Sequence, residues 1–153
     1  MQEKDQAIKS SEESLIKALE LIQNIITRMA NNSFLIKGWT ITLVSAILVL
    51  QESFFQLLTI FIPIIMFWVL DSYYLRQERL YRKLHTNITE GKTKTFQASF
   101  SFNTKQFKNE IDQIYRIMGS KTIGLFYGSI IAFVLILILI IYPNWLDLLM
   151  DQF

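Results

Sequence analysis

Asp71, Glu78 and His85 stand seven residues apart, so on a helix they share one stripe. Two carboxylates and an imidazole are a donor set for a metal ion or for acid–base chemistry. The chain has one histidine and no cysteine, which excludes thiolate centres and multi-histidine centres within one protomer. A metal here would need further ligands from elsewhere in the fold or from neighbouring protomers. The simpler expectation is that Asp71 and Glu78 pair with Arg or Lys and fix the geometry of their helix. Arg76, Arg79, Arg82 and Lys83 lie among these residues and suit phosphate groups, either lipid headgroups at a membrane surface or those of a nucleotide or nucleic acid. Direct nucleic-acid binding is not expected, because the positive charge is modest once the acidic neighbours are counted and no recognition motif accompanies it. No phosphate-binding loop, dinucleotide loop, nucleophile elbow or metalloprotease helix is present, so the sequence points to neither an enzyme nor a cofactor.

The elements that position these residues are set by hydropathy. Of 153 residues, 52% are hydrophobic and only 18% are charged, and the apolar ones concentrate in residues 34–70 and 123–142. A single soluble core requires no such segregation. The spacing predicts a first membrane helix over 34–50, short for the roughly 20 residues that cross a bilayer, with Lys37 snorkelling to headgroups and Trp39 at the interface. Residues 51–53 read as a tight hairpin turn, and 54–70 return. Pro63 removes one backbone hydrogen bond from that return helix and should bend it. With no glycine or proline from there to Gly91, the helix should run straight on as a stalk, with Trp68, Tyr73, Tyr74 and Tyr81 as an interfacial aromatic cluster. The third membrane helix, over 123–142, is closed by Pro143, with Trp145 beyond it as an anchor. Its Gly124 and Gly128 have a spacing that lets helices approach closely.

Outside the apolar tracts, Leu15, Leu19, Ile22, Ile26 and Met29 form one stripe of an amphipathic helix, with Ser10 and Glu13 as its capping box. That stripe packs on another helix of the same chain, lies on the membrane surface, or meets a second protomer, for which Leu19 and Ile26 are the contact candidates. Residues 91–95 read as a turn, and Phe96, Ala98, Phe100 and Phe102 alternate as an extended segment with one apolar face. A helix is expected over 104–118, capped by Asn103 with Gln106, stapled by Phe102 with Phe107, and burying Phe107, Ile111, Ile114, Tyr115 and Met118.

The reading is an all-α integral membrane protein with three transmembrane helices. Its parts are an amphipathic helix over 1–32, a hairpin over 33–71, a basic stalk and small helical region over 72–122, the third helix over 123–143 and a tail over 144–153. All 15 Lys and Arg residues fall within 1–37 and 71–122, which places the amino terminus and the middle region in the cytoplasm and the tail outside. The mixed charges of the first thirty residues are unlike a secretory leader, so the insertion signals remain part of the chain.

The segment WVLDSYYLRQERLYRKLH, directly after a two-helix hairpin, resembles the two-transmembrane effector domains of bacterial anti-phage defence abbreviated SLATT. The likeness covers residues 33–88, and the third membrane helix departs from the two-helix plan. The resemblance implies an inner-membrane protein that forms homo-oligomers and answers to a cytosolic protein partner or nucleotide signal. Two functions then stand open: an effector that perturbs or permeates the membrane when triggered, and a scaffold that recruits a cytosolic complex without forming a pore. Under both, residues 71–83 are the expected coupling element, with Asp71, Arg76, Glu78, Arg79 and Arg82 at the membrane exit and Pro63 absorbing the motion.

Overall fold

The computed structural model describes residues 2–90 and 103–142, and all secondary structure in them is helical. The expected turn at 91–95, the alternation of Phe96, Ala98, Phe100 and Phe102, the Phe102 half of the staple, Pro143, Trp145 and the tail lie outside the described residues. Helix α1 spans Gln2–Leu50, α2 Phe54–Leu58, α3 Phe61–Thr89, α4 Ile114–Met118 and α5 Lys121–Ile141, with a single 3-10 turn at Lys105–Phe107. Among the described residues, three helical stretches are long and apolar enough to cross a membrane: Ile8–Leu50, Phe54–Thr89 and Lys121–Ile141.

The amphipathic stripe and the first apolar tract belong to one helix. Nothing in MANNSF stops α1, because Asn31, Asn32 and Ser33 weaken a helix without breaking it. Ser10 is accordingly interior and no cap; its carbonyl accepts the Ser14 hydroxyl at 2.7 Å. The hairpin turn falls at 51–53 as expected, and it is knitted by its own side chains. Ser53 caps α2 by accepting from the Gln56 amide at 3.3 Å, and Gln56 Oε1 accepts from the Glu52 amide at 3.1 Å.

Pro63 breaks the return helix where a gentle bend was expected. Its ring cannot sit above the carbonyl of residue 59 in a continuing helix. Around Thr59 and Ile60 the chain tightens into three-residue hydrogen bonds, Thr59 to Gln56, Ile60 to Leu57 and Ile62 to Thr59, at 3.1 to 3.2 Å. Pro63 then occupies the first turn of α3, where a missing amide leaves nothing unsatisfied. From there α3 runs unbroken for 29 residues, through Asp71 and the whole basic segment.

The helix expected over 104–118 does not form as one piece. Asn103 Oδ1 accepts from the Lys105 amide at 3.0 Å and starts only the 3-10 turn, and regular helix resumes at Ile114. The Arg76 guanidinium donates to the carbonyls of Asp112 at 3.2 Å and Lys108 at 3.4 Å and so fastens this irregular stretch to α3. Tyr115, expected to be buried, is 66% exposed, and Ile117 is buried in its place.

The chain forms two compact units, Met1–Ser33 with Tyr73–Gln113, and Phe34–Ser72 with Ile114–Phe153. In the first, Ile22, Ile26, Leu80, Leu84, Ile88 and Phe107 make an apolar core, flanked by Leu15, Leu19, Tyr81 and Ile111. In the second, apolar side chains such as Phe34, Met66, Leu125 and Ile140 lie outward, while Thr40, Asp71 and Ser72 are fully buried.

A buried ion pair as the candidate functional site

Asp71 lies on α3 ten residues after its start, and its side chain has no exposed surface. The partner is Lys37 of α1, whose ammonium stands 2.6 Å from Asp71 Oδ2 and whose side chain is 22% exposed. Lys37 therefore does not snorkel outward; it points to the carboxylate. Its Nζ also lies 5.9 Å from the centre of the Phe126 ring, a cation–π contact.

All three candidate spans contribute to the surroundings. Thr40, one turn after Lys37, is fully buried and gives its hydroxyl to the Ile36 carbonyl at 2.8 Å. From α5, the Tyr127 hydroxyl donates to the Phe67 carbonyl at 3.1 Å, one turn before Asp71 on α3. Trp68 stacks on Tyr127 with ring centroids 5.7 Å apart and donates its indole N–H to the Met118 carbonyl at 3.1 Å. Ser72 returns its hydroxyl to Trp68 at 2.7 Å. An acid and a base removed from water in this way are costly unless each neutralises the other and the remaining polar valences are met.

Close approach also defines Gly124. A Cβ there would meet the Met118 carbonyl at 3.3 Å and the Gly119 carbonyl carbon at 3.4 Å, so the glycine lets the α4–α5 turn fold tightly onto α5. Gly128 faces open space.

The other sequence candidates go elsewhere. Glu78 pairs with Arg82 one turn on, at 2.7 Å, and not with Asp71 or His85. Among the described residues no group of three or more metal-capable side chains converges, so the 71, 78, 85 stripe is not a cluster. Arg76 holds the two carbonyls already named, Arg79 lies 3.7 Å from Asp112, and Lys83 lies 3.0 Å from Glu110. Arg76, Arg79 and Lys83 thus clamp residues 108–112 of their own chain, while Arg82 pairs within α3. Ile26 is buried and Leu19 packed in the first unit's core, which is the same-chain alternative for that stripe. The tyrosines do not cluster with Trp68: Tyr73 meets Tyr74 edge-on, and Tyr81 packs on the core of the first unit. Sequence reasoning missed Lys37 and Tyr127 as members of the site. The available signal was a lone cation and a lone tyrosine inside otherwise apolar spans.

No family model, curated protein or solved structure matches the chain.

Proposed function

We propose that the protein is a multi-pass bacterial inner-membrane effector or accessory subunit. It forms homo-oligomers and perturbs the bilayer when a cytosolic partner or nucleotide signal reaches it. The amino terminus and residues 73–113 are cytoplasmic and the tail is outside, as the confinement of Lys and Arg to 1–37 and 71–122 supports. The observation that carries the reading is the Lys37–Asp71 pair at 2.6 Å, buried among otherwise apolar spans. Buried pairs are poor sources of net stability, and their best-attested use is to specify one arrangement among several. Asp71 sits on the same unbroken helix as Arg76 and Arg79, so a turn of the cytosolic end of α3 displaces the carboxylate from Lys37 and releases the membrane helices.

The test is membrane depolarisation in cells expressing Asp71→Ala, normalised to inserted protein. The double variant Lys37→Met with Asp71→Leu separates lost signal from lost fold. Altered depolarisation is expected in the single variant, and wild-type activity at equal insertion would remove the assignment. Reporter fusions at Gly91 and after Phe153 test the orientation: cytoplasmic activity at the first and periplasmic activity at the second.

One observation favours the scaffold reading instead. The hydroxyls of Thr42, Thr59 and Ser129 give their hydrogens to the carbonyls of Gly38, Gln56 and Phe126, within 3.0 Å, which leaves the spans few free donors with which to line a polar path. A scaffold needs no lumen, and a gated pore of apolar lining opens only on triggering. Ion flux into liposomes holding the purified oligomer separates the two.

A further inference from the structure

In the first unit, residues 103–113 form a short strap with little regular structure over a groove made by α1 and α3. One side chain, Phe107, is buried in the core with Ile22, Ile26, Leu80, Leu84 and Ile88, and Ile111 packs against it. The rest of the attachment is polar. Arg76 holds the Lys108 and Asp112 carbonyls, Arg79 faces Asp112, and Lys83 meets Glu110. Both ion pairs are 37% to 52% exposed at every member, so each contributes little net stability. An element held by one buried aromatic side chain, a half-buried isoleucine, two hydrogen bonds from Arg76 and solvent-exposed charges opens more readily than the helices beneath it.

We infer that this strap is an internal ligand, and that the groove beneath it is a docking site for a protein segment of the same chemistry. That chemistry is an aromatic residue followed within five residues by two carboxylates, as in Phe107, Glu110 and Asp112. Charge complementarity selects it, because Arg79 and Lys83 stand on the groove's rim at the positions those carboxylates occupy. The aromatic residue fills the place of Phe107 between the Ile and Leu side chains of α1 and α3, the anchor-in-groove mode of peptide recognition. The strap holds the groove closed in the resting chain, and a partner segment exchanges with it. This names the site at which the cytosolic partner of the proposed function is received, and it rests on that reading for its biological role. The binding itself is independent of any membrane activity.

The experiment uses the full chain in lipid nanodiscs and a fluorescent peptide of residues 103–113, NTKQFKNEIDQ. Weakening the resident strap by Phe107→Ala with Ile111→Ala should tighten peptide binding about tenfold or more over wild type, since the competitor for the groove is then populated less. A peptide with alanine in place of its phenylalanine should not bind. Because the chain has no cysteine, Lys83→Cys with Glu110→Cys can be bridged by a bismaleimide to fix the strap in place. Without the Lys83 rim charge the unbridged variant should bind the peptide more weakly than an intact rim would, through the Phe107 site and Arg79, and bridging should abolish what remains; the comparison within this one variant covers the case in which the alanine variant does not fold. Equal binding before and after bridging, or no binding by any strap-weakened or unbridged form, would overturn the proposal. Neither result touches the Asp71 depolarisation test, so the two readings fail separately.

Discussion

Helices α1 and α3 each contribute to both units, and both units bury Ile and Leu, yet they differ in the polar groups they take inside and the apolar ones they leave outside. Residues 15–26 of α1 and 80–88 of α3 bury Ile and Leu in the first unit, while Arg79–Asp112 and Lys83–Glu110 form exposed pairs at its surface. Residues 34–50 and 61–72 of the same two helices turn Phe34, Trp39, Ile62 and Met66 outward in the second unit, and bury Thr40, Asp71 and Ser72. The first pattern is what water selects and the second is one that a hydrocarbon surrounding would permit, because hydrocarbon outside a helix makes an outward Phe or Ile neutral and an outward charge expensive. A helix therefore does not have one hydrophobic face by nature. The solvent along its length decides which side is apolar.

The largest effect that could break this contrast lies at the ion pair. Asp71→Ala leaves Lys37 facing a buried site without its counter-charge, an expected cost of about 3–5 kcal/mol, toward the lower end because the lysine keeps some exposure. Thermal denaturation in detergent reads it. Replacing both members, Lys37→Met with Asp71→Leu, should recover most of the loss. If the double variant is as unstable as the single one, the second unit depends on something other than charge pairing.

In the first unit the corresponding weak point is apolar. Leu84→Ala removes a fully packed side chain and should cost about 2–5 kcal/mol. Leu139→Ala, at a position 56% exposed in the second unit, should stay within about 0.5 kcal/mol in detergent. Comparable losses at both would mean that the outward residues of α5 pack against a protein surface rather than against hydrocarbon.

A matched pair sharpens the solvent argument itself. Ile16 and Ile136 are 57% and 55% exposed, so packing does not distinguish them. Ile16→Asp should be nearly neutral in the first unit, whereas Ile136→Asp places a carboxylate inside an apolar span and should raise the insertion cost by about 2.5–3.5 kcal/mol. The amount of each variant recovered in the membrane fraction is the measurement. Equal recovery would remove lipid as the second unit's solvent.

Much of this architecture was legible in the residues. Hydropathy marks the three spans, the turn at 51–53 follows from a three-residue polar gap, and the absence of Gly and Pro lets α3 run on to Thr89. Periodicity names the inward stripe of a helix without naming its partner, so Leu19 and Ile26 read equally as internal contacts or contacts between protomers. Lys37 shows the same limit: one cation in an apolar tract has the same sequence signature whether it snorkels or pairs, and Asp71 lies 34 residues away. The helix expected over 104–118 was the least legible part: Asn103 accepts from the Lys105 amide and closes no box with Gln106, and the contacts that fasten Lys108 and Asp112 come from Arg76, a residue that no window around position 108 contains. Pro63 was readable as a disruption, though a break two residues upstream and a smooth bend differ only in what the preceding turn can adopt.

The smallest expected effect is also the finest discriminator, and it concerns how each unit uses charge. Lys83–Glu110 is a single contact at 3.0 Å between side chains 42% and 52% exposed, so water and salt reach both partners. A double-mutant cycle with Lys83→Gln and Glu110→Gln should give a coupling of only about 0.2–1 kcal/mol. It should fall further as ionic strength rises, because the screening length shrinks to about 3 Å at 1 M salt. The same cycle at Lys37–Asp71, with methionine and leucine as the neutral partners, should give a larger coupling that salt barely changes, since Asp71 has no exposed surface for counterions to approach. Salt thus divides the two pairs even where variant stabilities overlap. A salt-sensitive coupling at Asp71 would mean that water enters between α1 and α3 at that depth, and the opposition between the units would then be one of degree. A salt-insensitive coupling at Lys83 would mean that the strap shields it, and that residues 103–113 are fixed as firmly as the helices they cover.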